Sequence, residues 1–451
     1  MTEWTHHTCP KLEESYSETC HKSGLRILVA PKDLSAAYAT VGIGYGSRDR
    51  FSGGTMPMGI AHFLEHKMFE RADGENWEEV FSALGAEVNA YTSDDCTAYM
   101  FSATDRIPEA LEALVAMVTD LSVTPSSVSR ERQIIAEEIR MNADDPWEVC
   151  YANMLRGLYS PVRLGGNPVR EEICGTEASI RRITPAALKK THRRFYRPEN
   201  MVLTVSGRVT PEEVLAAVDR ALESRVAVEP RQTPDTGHRP RDPVGVYKPR
   251  MTVAMDAAKP LFSIGIKLPE VPADSRERVR LDRRMTVLSE MLFSRSGDFY
   301  DRLFEAGLVS PGVSYGSSLG RPSLGCTAPE REGYGYFYLS GECDDPEAVY
   351  AAFTDQMAML HRNGLDRGAF ERARRTLYAD FVYGFDSTEG IASSLLTTAM
   401  DGVGLFDLMT LDGEITFEEI SDLFARSFMA SQYTLSTVLP SESSCNPYTN
   451  P

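Results

Sequence analysis

Three side chains within five positions carry the densest chemistry in this chain. They are His62, Glu65 and His66, in the run Gly-Ile-Ala-His-Phe-Leu-Glu-His-Lys-Met-Phe that spans residues 59–69. At helical spacing His62 and His66 (i, i+4) lie one turn apart on one face, with Glu65 beside them. Two neutral imidazoles so placed reach a single tetrahedral Zn2+, and the adjacent carboxylate is free to take a proton from a zinc-bound water. The order His-x-x-Glu-His inverts the commoner His-Glu-x-x-His and is a zinc peptidase motif in its own right. A lone histidine on an apolar helix face is usually a core residue. Two histidines and a glutamate sharing one face are not accounted for by packing.

A helix must hold these groups still. Pro57 is expected to open it, where a missing N–H costs nothing, and Ile60, Phe63, Leu64 and Met68 supply the apolar faces that bury it. The motif lacks a third ligand. A second helix, predicted over residues 127–142 after the start signal Thr124-Pro125, carries Glu131, Glu137 and Glu138. Glu131 and Glu138 are seven apart, two turns along one face, while Glu137 points elsewhere. A carboxylate there would complete a His2Glu set that leaves one zinc position open. Residues 86–92 and 96–103 read as paired strands around Ser93-Asp94-Asp95. The first is either an ordinary hairpin strand or an edge that holds an extended peptide by main-chain pairing near Asn89 and Ala90.

Taken together, His62-Phe63-Leu64-Glu65-His66, Asn89-Ala90-Tyr91-Thr92, Glu131-Arg132 and Glu138 resemble, in order and spacing, the pitrilysin/insulinase family of zinc peptidases, and especially its bacterial single-chain members related to the mitochondrial processing peptidase. The resemblance covers most of the chain. It implies that Glu138 is the third ligand, that Glu131 braces the site from behind, and that two duplicated α/β halves build the molecule. It also implies an Arg and, seven residues later, a Tyr in a second-half domain, which help hold the substrate carbonyl. Here the pattern is broken: Arg302 is followed at position 309 by Val, and the nearest tyrosine downstream is Tyr315.

A chain of 451 residues fits two domains of about 200 residues. The boundaries expected are residues 1–225 for a zinc-bearing catalytic domain, 226–247 for a Pro-rich linker (Pro230, Pro234, Pro240, Pro243), and 248–451 for a second domain of the same fold without metal. The fold class is α+β, each domain an antiparallel-rich sheet with helices packed on it. In the first half, residues 24–31 and 37–45 read as strands, most simply a hairpin, after a polar leader. Helices follow near 77–84, 108–121, 184–195 and 211–223, with a strand at 200–205. The second half repeats this in outline: strands at 262–268 and 333–340, helices at 281–293 and from Pro346 and Asp366.

A formal net charge of −18 argues against nucleic acid or an anionic membrane as a partner. The N-terminus lacks a basic segment followed by an apolar run, and no stretch approaches a membrane span, so a cytoplasmic protein is expected. The eight cysteines show neither close pairs nor zinc-ribbon spacing, as reduced thiols would. His6, His7, Cys9, Cys20 and His21 are spaced too irregularly for a second metal cluster.

The reading is a zinc metalloendopeptidase, one Zn2+ per chain, that cuts short or unfolded peptides by direct attack of a metal-activated water. His62, His66 and Glu138 are the ligands and Glu65 the base, with Glu131 bracing. Asn89, Ala90, Arg302 and Tyr315 are the substrate-side candidates. By resemblance, a homodimer or a heterodimer with a related non-zinc subunit encloses the substrate. The alternative is a non-catalytic scaffold or peptide-binding subunit of a related complex.

Overall fold

Strand-length runs recur through both halves of the chain, apolar in the sheet centres and more polar toward the edges, and assemble into two sheets. The computed structural model describes residues 3–51, 56–223, 242–320 and 333–441. The first sheet contains β1 (Thr5–Cys9), β2 (Glu14–Cys20), β3 (Arg26–Pro31), β4 (Ala37–Ile43), β5 (Ala86–Thr92), β6 (Thr97–Ala103) and β7 (Met201–Gly207), in the order β1-β2-β3-β7-β4-β6-β5. The second contains β8 (Arg250–Met255), β9 (Leu261–Lys267), β10 (Ser314–Leu319), β11 (Gly335–Glu342) and β12 (Tyr433–Pro440), in the order β10-β11-β9-β12-β8. Among the described residues, only β3·β7 and β12·β8 pair in parallel. The architecture is therefore α+β, with an antiparallel-rich sheet in each half.

Two expectations are corrected. β3 and β4 do not form a hairpin, because β7 lies between them, parallel to β3 and antiparallel to β4. All seven β7 residues are buried, as in a central strand covered on both faces. The polar leader is not a leader: β1 and β2 pair as an edge extension in which Tyr16 turns inward. Here His7 contacts Glu18 and stacks on the Tyr16 ring, and just beyond β2 His21 contacts Asp219. Residues 226–241 of the expected linker lie outside the described residues. Just beyond them, Asp242 accepts a hydrogen bond from the Ser160 amide at 3.0 Å and pairs with buried Lys267.

Each sheet is covered on one face by its own half and on the other by the opposite half. Helices Ile107–Thr119 and Pro211–Leu222 pack with the metal-motif helix on the inner face of the first sheet, around Ile27, Val29, Val41 and Leu203. The other face, with Leu28, Ala98 and Val202, is covered by helix Thr388–Asp401 through Ile391, Leu395 and Leu396. Gly42 of β4 permits this approach, since a Cβ there would sit 2.5 Å from Leu396 Cδ1. Conversely, the second sheet packs one face on helices Ser275–Phe293, Pro346–Asn363 and Phe417–Ser427, and receives helix Pro146–Leu158 of the first half on the other. Among the described residues, none of six cysteines is in a disulfide, and no helix is long and apolar enough to cross a membrane.

Candidate metal centre

The motif helix runs Ile60–Lys67, not from Pro57. Its start is set by Gly59, whose φ of 87° is open to glycine at little cost and whose would-be Cβ would meet the Cys174 carbonyl at 2.4 Å. Every residue of this helix except His66 is buried, so its orientation is fixed by the core. The partner helix, Pro125–Asp144, starts at a Thr124/Ser127 capping box. Val128, Glu131, Ile135, Glu138 and Asn142 fall at alternating spacings of three and four. Val128 and Ile135 are buried and anchor the stripe from which the two glutamates reach the motif helix. Glu137 is exposed and pairs with Arg140 instead.

His62 Nε2 and His66 Nε2 are 3.3 Å apart. Glu138 completes a triangle, with Oε1 3.3 Å from His62 Nε2 and Oε2 3.7 Å from His66 Nε2. A tetrahedral zinc with bonds of about 2.0–2.1 Å has ligand-to-ligand edges of about 3.3 Å. The two imidazole nitrogens stand at that edge length, and Glu138 faces each of them with a different oxygen. The hydrogen bond with His62, followed by nearby imidazoles, holds the Glu138 carboxyl below the usual range, so it is ionised as a ligand must be.

Behind the triangle, Glu131 Oε1 lies 3.0 Å from His66 Nδ1 and Oε2 lies 3.4 Å from Lys67 Nζ. Lys67 is fully buried and also pairs with Glu70. Burial works against both ions, yet the contact with Glu131 and the surrounding carboxylates raises the His66 pKa, while His66 and Lys67 keep Glu131 low. His62 has no such brace on its far side: its Nδ1 is buried without a hydrogen-bond partner among the described residues.

Glu65, also buried, accepts a hydrogen bond at 2.5 Å from the Thr92 hydroxyl at the end of β5. β5 is one of the two edge strands of its sheet. Asn89 is exposed there, and its Oδ1 takes the Ala90 N–H at 2.8 Å, filling the place a strand partner would occupy. Arg302 and Tyr315 do not join this cluster. Arg302 is exposed on helix Asp298–Glu305 and bonds to Gln356, while the Tyr315 hydroxyl donates to Glu290 at 2.7 Å. Three contributors were missed in the sequence. Thr92 stood out only within a resemblance. Lys67 reads as one more lysine on a helix. Cys174, whose Sγ is 3.5 Å from Glu138 Oε1, lies in a loop with no motif around it. Burial, and then Glu138, push its thiol up to about 12.

Residues 28–166 match the family model described as Insulinase (Peptidase family M16), and residues 182–377 match the one described as Peptidase M16 inactive domain. The chain is 30% identical over 440 residues to the uncharacterized zinc protease YmfH of Bacillus subtilis (strain 168), covering 95% of this chain and 98% of that protein. An M16-like peptidase from Alicyclobacillus acidocaldarius superposes with a TM-score of 0.87 at 28% identity, over 96% of this chain and 100% of the other. Pitrilysin shares the fold, with a TM-score of 0.72 at 16% identity over 98% of this chain and 47% of its own.

Proposed function

Because this chain belongs to the insulinase family of peptidases, M16, we propose that it is a zinc-dependent endopeptidase acting on short or unfolded peptides. The observation that carries this reading is the His62–His66–Glu138 triangle with a buried carboxylate, Glu65, one residue before His66. Zinc bound there would polarise the scissile carbonyl and lower the pKa of a coordinated water.

The remaining work falls to the chain. Glu65 takes the proton of the attacking water and delivers it to the leaving amine nitrogen. Thr92 fixes which oxygen of Glu65 is free to do so, because it occupies Oε2. Glu131 fixes the His66 tautomer and ring plane, since its carboxylate sits on Nδ1 and leaves Nε2 for the metal. The edge of β5 at Asn89 and Ala90 aligns an extended peptide by main-chain pairing, after the Asn89 carboxamide gives up the Ala90 amide. With Arg302 and Tyr315 engaged at Gln356 and Glu290, the donors for the developing oxyanion come from a second subunit, either a related chain that lacks the zinc motif or another copy of this one. The match of residues 182–377 to an inactive domain favours a second reading, a non-catalytic peptide-binding subunit.

Metal content and cleavage of a quenched peptide library separate the two. The expected result is about one zinc per chain and activity lost to chelators. Glu65→Gln should keep the zinc and lose at least about a hundredfold in turnover. A zinc-loaded protein whose peptide cleavage is undiminished by Glu65→Gln refutes the assigned base. No cleavage with any related subunit favours the scaffold.

A further inference from the structure

We propose that Cys174 is a displaceable fourth ligand of the metal centre, closing it in a resting form; this rests on the zinc reading above. Ligand atoms of His62, Glu138 and Cys174 all lie within 4.8 Å of one another. The 3.5 Å from Sγ to Glu138 Oε1 matches a zinc edge, which for bonds of about 2.3 Å to sulfur and 2.1 Å to oxygen is about 3.6 Å. His66 stands outside that 4.8 Å group, so the sulfur closes the centre only by moving further toward His66.

The surroundings are built for sulfur. Asn142, one turn beyond Glu138 on the same helix, donates its Nδ2–H to Sγ at 3.7 Å, the outer contact that orients a metal-bound thiolate. The Cys174 carbonyl abuts Gly59, and Ser179 Oγ donates to the Met58 carbonyl at 2.8 Å, so this loop is pinned to the start of the helix that carries both histidines. Any approach of the sulfur to the metal would thus come from the Cys174 side chain, with its loop held in place. Coordination is a ligand exchange with no change of redox state: the thiol proton goes to solvent, a sulfur–zinc bond forms and a water leaves. Four protein ligands make a closed centre, whereas a catalytic one keeps a position open. Substrate or a water must displace Cys174 before turnover.

Zinc-edge X-ray absorption on the zinc-loaded full chain without substrate tests this. A sulfur shell near 2.3 Å is expected in the parent protein and should vanish in Cys174→Ser, together with a fall in zinc affinity of about ten- to a hundredfold. A parent spectrum with nitrogen and oxygen neighbours alone overturns the proposal while leaving the zinc reading intact, and needs no variant to fold. A parent protein that takes up no zinc overturns both.

Discussion

Replacing Glu131 with alanine isolates the support behind the metal from the metal ligands themselves. Its Oε1 is 3.0 Å from His66 Nδ1, and a hydrogen bond to a charged partner contributes about 1.5–3 kcal/mol. At about 1.4 kcal/mol per factor of ten, Glu131→Ala should weaken zinc binding by about ten- to a hundredfold. A second cost appears without zinc. Lys67 is fully buried and loses one of its two carboxylates, keeping Glu70. That places the stability loss nearer about 1–3 kcal/mol than the 3–5 kcal/mol typical of a buried charge left alone. Glu131→Gln keeps an acceptor for His66 but not the charge facing Lys67, so it should lose less zinc affinity than the alanine. Competition with a chromophoric chelator gives the zinc constants, and urea unfolding of chelated protein gives the stabilities. Zinc affinities of both variants within about twofold of the parent would refute the argument that Glu131 orients His66.

Thr92→Val removes the 2.5 Å hydrogen bond to Glu65 and should lower turnover by about ten- to a hundredfold with zinc content unchanged, read by steady-state kinetics beside metal analysis. Asp94 faces Arg48, Asp95, Ser47 and Tyr334, and burial chiefly raises its pKa to about 6. The folded state then holds this proton more tightly than the unfolded chain, so its contribution is most favourable below about pH 4 and is lost as pH rises through about 6. Asp94→Asn should accordingly stabilise the zinc-free protein by up to about 3 kcal/mol above pH 6 and hardly at all below pH 4; equal gains at both pH values in urea unfolding would contradict this. Gly59→Ala forces a left-handed φ and a 2.4 Å contact with the Cys174 carbonyl, and should cost at least about 1–2 kcal/mol in the same assay and weaken zinc binding.

The local chemistry was legible in the sequence because helical spacing alone puts His62 and His66 together and Glu131 in line with Glu138. The strand positions were legible too, from β-rich runs between turn residues. Connectivity was not. Nothing in residues 24–45 announces that β7, which begins at Met201, will separate β3 from β4, because pairing between strands so distant depends on the whole sheet. The polar alternation of residues 5–20 conceals β1 and β2, which bury little. Helix Thr388–Asp401 shows by its apolar residues that it is covered, but not that the cover is the sheet of the other half. Cys174 and Lys67 gain their meaning only from tertiary contacts with Glu138 and Glu131.

The exchange of covering helices between the halves sets an order on biosynthesis. The second sheet is born to a waiting cover, since helix Pro146–Leu158 precedes all its strands. The first sheet is not so placed. Its last strand ends at Gly207, while the helix that shields Leu28, Ala98 and Val202 begins at Thr388. At roughly 5–20 residues per second the intervening stretch takes the ribosome about 10–40 s, during which one apolar face of the first half lies open on the nascent chain. Chaperones that bind exposed apolar surface should therefore hold this protein longest while residues 208–400 are being made, and a truncated first half should aggregate even though it contains His62, Glu65, His66 and Glu138.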